Sequence, residues 1–165
     1  MTADSAQNPR NATNKAGAQL KALPIKQPWV HAILREGKFI ENRRWQTKHR
    51  GWIALHASAE PQYGDIYPRG VKAPDFDKLD YGAICGVARV VDILTKSRSK
   101  WFTQPYPGET NYGWALTDVK RLRKPIECKG ALQLWSVPPN IVRSIKRQLP
   151  KRIASILNRD TGNRS

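Results

Sequence analysis

Apolar positions along the chain fall into short runs with two different periods. Leu23 and Ile25 alternate with their neighbours, which predicts a short strand beginning near Lys21. Pro28 follows, and proline suits a first helical turn because its missing N–H has no partner there anyway. Trp29, Val30, Ile33 and Leu34 then recur at helical spacing, and Gly37 offers a left-handed stop. From Phe39 to Trp45 the period changes to two. Phe39, Glu41, Arg43 and Trp45 share one face, while Ile40, Asn42 and Arg44 share the other. Gly51 opens a further strand, Trp52 to Ala57.

Residues 58–80 hold Pro61, Gly64, Pro68, Gly70 and Pro74 and read as a long loop. Ala83 to Leu94 is strongly β-prone, and Gly82 and Gly86 permit a bend or bulge. Lys96, Arg98 and Lys100 follow, interleaved with Trp101, Phe102 and Tyr106, in a stretch that its prolines keep irregular. Trp101 is the aromatic expected to be exposed there. Tyr112 to Val119 and Ala131 to Val137 read as two more strands, joined by a linker carrying Lys120, Arg121, Arg123 and Lys124. After Pro138 and Pro139, Ile141, Val142, Ile145 and Leu149 make an apolar helical face. Pro150 interrupts, and Lys151 to Asn158 predicts a second short basic helix. Residues 1–20 show no apolar period. The expected organisation is a disordered arm over 1–20, one domain over 21–139 and a basic helical tail over 140–165. Five or six short strands with one early helix predict an α+β domain, a small β-barrel with the helix packed on it and a basic C-terminal helix.

Charge changes this picture most. Lys and Arg total 29 against 13 Asp and Glu, a formal net charge of +16 on 165 residues. A field of that size concentrates polyanions and speeds their capture, so nucleic acid is the first candidate partner. Cys85 and Cys128 make neither a CxxC pair nor a disulfide framework, so free thiols and a reducing, cytoplasmic setting are expected. His31, His49 and His56 lack metal-ligand spacing, and no metal or cofactor is expected. No apolar run approaches the ~18 residues of a membrane span. There is no Gly-rich phosphate loop and no paired-acid motif for a two-metal nuclease.

One ordered set of residues carries the functional expectation. It runs Ile25-Lys26-Gln27-Pro28-Trp29, then Gly37-Lys38-Phe39-Ile40-Glu41-Asn42-Arg43, then Lys48-His49-Arg50-Gly51. The spacing allows Lys38, Glu41 and Arg43 to form one cluster of two cations and a carboxylate, or an ordinary surface salt-bridge patch. The set resembles the signature of the ASCH family, named for homology to a transcriptional coactivator. Tyr112-Gly113-Trp114-Ala115-Leu116, Pro125-Ile126 and Gly130-Ala131-Leu132-Gln133-Leu134-Trp135 fit the same pattern, so the resemblance covers roughly residues 21–138.

The resemblance implies a PUA-like barrel with a cleft beside the helix. Lys38, Glu41 and Arg43 would line that cleft, with Lys26 and Lys48 at its edges. It implies RNA, single-stranded or modified, as the ligand of what is expected to be a monomer, with DNA as a second candidate. Arg50, Trp45, Trp101 and Tyr112 are further candidate contacts, and Trp45, Trp52, Trp114 and the exposed Trp101 are the candidate stacking platforms. Some ASCH-like proteins resemble amidohydrolases or metal-independent ribonucleases. Under that alternative Lys38, Glu41, Lys48 and Ser136 are the candidate catalytic groups, with Tyr112 a further proton donor. The amidohydrolase branch has Thr where this chain has Glu41, which weighs against that activity. A third alternative is a coactivator-like adaptor.

Overall fold

The computed structural model describes residues 19–64 and 67–157. The expected arm, up to residue 18, and the last eight residues lie outside them.

The early expectations for strand and helix hold. Lys21–Ile25 is β1, and Trp29–Arg35 is α1, entered at Pro28 and followed by Gly37 at φ +69°. β2 is Ile40–Arg43, β3 is Gly51–Ala57 and β4 is Ala83–Leu94. All seven residues of β3 are buried. Its apolar side chains divide between two cores, as period-two alternation in a sheet covered on both faces requires. Ile53 and Leu55 join Leu23, Ile25, Val30 and Ile33 beneath α1. Trp52 and Ala54 join Ile84, Val87 and Leu122 on the other side.

Two expectations about the later strands are corrected. The basic stretch after Val119 is not a linker. Tyr112–Glu127 is one 16-residue strand, β5, which pairs with β4 along nearly its whole length. The strand is irregular, which is why its pattern misleads. Asp118 sits at φ +52°, where the register with β4 slips. Nearer its end, the partner jumps from Arg121 opposite Gly86 to Ile126 opposite Ile84, so Leu122 to Pro125 form a bulge that keeps Leu122 in the core. Gly86 is required here, because a Cβ would lie 2.6 Å from the Lys120 carbonyl oxygen and 2.5 Å from Leu34. The expected strand from Ala131 to Val137 shrinks to Trp135–Ser136, β6. Gln133 at φ +58° breaks the extension, and Leu132 is left 89% exposed.

The six strands run in the order β2-β5-β4-β3-β1-β6. Only β1 and β3 pair in parallel. The sheet is not closed into the barrel that the resemblance implied. β2 pairs only with β5, and β6 covers only Lys21 and Ala22 of β1. The sheet nevertheless curls far enough for Arg43, on terminal strand β2, to donate from Nη2 to the Pro24 carbonyl of β1. A guanidinium thus stands across the seam where a strand partner is missing.

The C-terminal segment is two helices, α2 over Pro139–Arg147 and α3 over Lys151–Ile156, separated at Pro150. Val142, Ile145, Leu149, Ile153 and Leu157 pack into the core with Trp52 and Leu122. The basic residues of α2 and α3 therefore ride on helices held by the sheet. Among the described residues no helix is long and apolar enough to cross a membrane.

Candidate nucleic-acid interface

Lys38, Glu41 and Arg43 do converge. α1 ends at Arg35, and the left-handed Gly37 turns the chain so that Lys38 folds back beside β2. Lys38 Nζ lies 2.7 Å from Glu41 Oε2 and also donates to the Ile40 carbonyl. It sits 5.5 Å from the Trp29 ring centroid, a cation–π contact. Arg43 Nε is 3.8 Å from Glu41 Oε1. The pair is inside the protein: Lys38 is 2% exposed and Glu41 4%. Arg43 keeps part of its side chain at the surface.

The wall over this cluster is aromatic. Tyr67 stacks on Trp29 with ring centroids 5.4 Å apart and meets Trp101 edge-on at 6.2 Å. Burial, and then the neighbouring Glu36 carboxylate, push the Tyr67 hydroxyl well above its ordinary pKa. The same carboxylate holds His31 Nε2 at 3.2 Å. Trp101 is not the exposed platform expected of a basic loop. It is 5% exposed, packed with Ala32, Ile40 and Phe102. Lys100 lies over its ring at 5.4 Å.

The other candidates are dispersed. Lys26 is exposed at the turn into α1, where its carbonyl accepts from the Trp29 amide. Trp45 is half-buried and meets Trp114 edge-on at 4.8 Å. Lys48 is exposed in the connection from β2 to β3. Arg50 directs its guanidinium to the Thr47 and His49 carbonyls and to Asp92, 3.6 Å away. Beside it, burial lowers the His49 pKa, opposed by a bond to the Trp52 backbone and assisted by Lys21 and Arg50. Tyr112 is half-buried at the start of β5. Ser136, on β6, accepts from Lys21 Nζ at 2.7 Å. No contact among the described residues joins Ser136 to Lys38 or Glu41. Nor does any group of three His, Cys, Asp or Glu suited to a metal occur among them.

The cations of residues 120–124 and those of the basic tail, separate features in the sequence, are tied together in the structure. The β5 bulge frees the Lys124 backbone from the ladder, and the Gln148 side chain takes it up. Gln148 Oε1 accepts from the Lys124 amide at 2.9 Å, and Gln148 Nε2 donates to the Lys124 carbonyl at 2.9 Å. This amide clamp ties the end of α2 to β5. It brings the end of β5, which carries Lys120, Arg121, Arg123 and Lys124, to the end of α2, which carries Arg143, Lys146 and Arg147; α3, with Lys151 and Arg152, follows at Pro150. None of these cations has a carboxylate partner among the described residues. Some surface cations elsewhere are paired, as in Arg44 with Glu109, Lys78 with Asp75 and Arg89 with Asp118. Beyond its pairing with β2, which ends at Ala115, the outer edge of β5 has no strand neighbour among the described residues. Charge on such an edge discourages strand-to-strand aggregation, which accounts for the strand cations but not for those on the helices.

The family model described as "ASCH domain" matches residues 23–126. Activating signal cointegrator 1 of Homo sapiens is 26% identical over 148 residues, covering 79% of this chain and 24% of that protein. The Mus musculus protein of the same name is 25% identical over the same extent. The chain thus spans about a quarter of the length of these relatives. On the breadth of that domain match, this chain belongs to the ASCH domain family.

Proposed function

We propose that this chain binds single-stranded RNA, and that the ridge formed by the β5 bulge with α2 and α3 holds the RNA backbone. The observation that carries this reading is the clamped row of unpaired cations. Like charges held side by side repel one another, and a polyphosphate relieves that repulsion while releasing its own counterions. Membership in the ASCH family is consistent with nucleic-acid interaction.

In this reading the buried Lys38–Glu41 pair and the Arg43 bridge act mainly as frame, setting the angle of α1 against the curled sheet. Lys26, Lys48 and the exposed part of Arg43 extend the positive surface around it. The test is fluorescence anisotropy with a labelled single-stranded RNA at low salt, comparing two surfaces of the protein. Changing Arg143, Arg147, Lys151 and Arg152 to Gln is expected to weaken binding at least tenfold. Changing Lys96, Arg98 and Lys100, at the opposite end of the β4–β5 ribbon, is expected to weaken it about twofold or less. Equal losses from the two surfaces, or no binding by the unaltered chain, would rule out a ridge-specific interface.

A further inference from the structure

A groove of about 380 Å³ lies next to the ridge and on a different part of α1 from the Lys38 cluster. Three segments form it: Val30, His31, Leu34 and Arg35 of α1, residues 74–80, and the β5 bulge from Arg121 to Pro125. Its volume is in the range of sites for small organic ligands, ~300–1,000 Å³. From this geometry we infer that the groove seats one base of the RNA whose phosphates lie on the ridge. The inference rests on the RNA-binding reading and adds to it where a nucleotide is read.

The chemistry of the walls fits a base with its phosphate. Leu34, Pro74, Leu79 and Pro125 give a part-exposed apolar lining suited to a flat heterocycle, above the buried Val30 and Leu122. Arg35, Arg121 and Arg123 stand at its margins, and none of them has a carboxylate partner among the described residues. Arg121 and Arg123 belong to both features, so a chain following the ridge passes the groove. The Asp80 carboxylate, also on the wall, is an acceptor for a base amino group, which aliphatic anions do not offer.

The wall behind is fixed. The buried Gln27 side chain donates to the Asp80 carbonyl at 2.9 Å and accepts from the His31 amide at 3.0 Å, joining the 74–80 segment to α1. On the outer side of that segment, Phe76 stacks with Tyr63 at 5.6 Å, and Tyr63 is 76% exposed. An adjacent base has an aromatic face available there.

The test uses the full chain and two single strands of equal length and charge, an RNA and its abasic counterpart. The unaltered protein is expected to bind the base-containing strand about tenfold more tightly, the scale of one stacked base. Leu79→Trp fills the groove from its outer wall and is expected to bring that ratio to about one. Arg35→Glu is the alternative should Leu79→Trp fail to fold. Lys146→Gln with Arg147→Gln is expected to weaken both strands alike and keep the ratio. Photocrosslinking of a 4-thiouridine strand is expected to mark peptides from 27–35 and 74–80. Crosslinks confined to 143–152, with no base preference, would overturn the groove while leaving the ridge intact. Absence of binding to either strand would overturn both.

Discussion

Lys38→Met is the most informative single perturbation of the frame. It keeps the length of the side chain and removes the ammonium, leaving the Glu41 carboxylate buried. Three interactions disappear: a charge-assisted bond to Glu41, a bond to the Ile40 carbonyl and the cation–π approach to Trp29. Removing one partner of a buried ion pair typically costs 3–5 kcal/mol, chiefly because the other charge stays desolvated. Arg43, 3.8 Å from the second Glu41 oxygen, compensates in part. The expected cost is therefore about 3 kcal/mol, at the low end of that range. In a domain of this size that lowers Tm by roughly 6–12 °C. Adding Glu41→Gln removes the stranded charge and is expected to recover about 1–2 kcal/mol of the loss. Urea unfolding of the four proteins in the double-mutant cycle provides the assay. A Lys38→Met loss under about 1 kcal/mol, with no coupling to Glu41, would show that the pair is solvated and is not a frame.

Two further predictions concern the clamp and the thiols. Gln148→Ala removes both bonds to the Lys124 backbone and is expected to cost about 1–3 kcal/mol in urea unfolding. It is also expected to weaken RNA binding severalfold, because α2 is no longer tied to the strand; unchanged binding would show that the clamp does not organise the ridge. Burial, assisted by Asp80, pushes the Cys85 thiol from 9.0 up to about 12. The unfolded thiol ionises above pH 9 while the folded one stays protonated, so the unfolded state holds fewer protons there and stability falls as pH rises. The urea midpoint is accordingly expected to drop more between pH 8 and 10.5 in the unaltered chain than in Cys85→Ala. At pH 8 Cys85 is expected to alkylate far more slowly than in the unfolded chain, and equal rates would contradict its burial.

The parts legible in the sequence are those governed by local periodicity. β1, α1, β3 and β4 follow from apolar spacing, and Pro28 and Gly37 mark the limits of the helix. β5 is obscured because its second half carries four cations around a single buried Leu122, and its bulge interrupts the strand period. Burial of Trp101 depends on Ala32 and Ile40, distant in sequence, so the basic neighbours of Trp101 gave the opposite impression. The signature spacing placed Lys38, Glu41 and Arg43 together but gave no sign that Lys38 and Glu41 would be sealed inside. Nor did it show that Arg43 would reach Pro24, an interaction that exists only once the sheet has curled. The groove draws on three separated segments and matches no local pattern.

The central claim is that the cationic ridge holds RNA phosphates. Its most direct test is the slope of log affinity against log salt for a single-stranded RNA, measured for the unaltered chain and for Lys146→Gln, Arg147→Gln, Lys151→Gln. Each cation removed from a phosphate is expected to flatten the slope by about 0.7, so the triple change flattens it by about 2. A slope that is the same in both proteins would mean that these cations do not touch the RNA backbone.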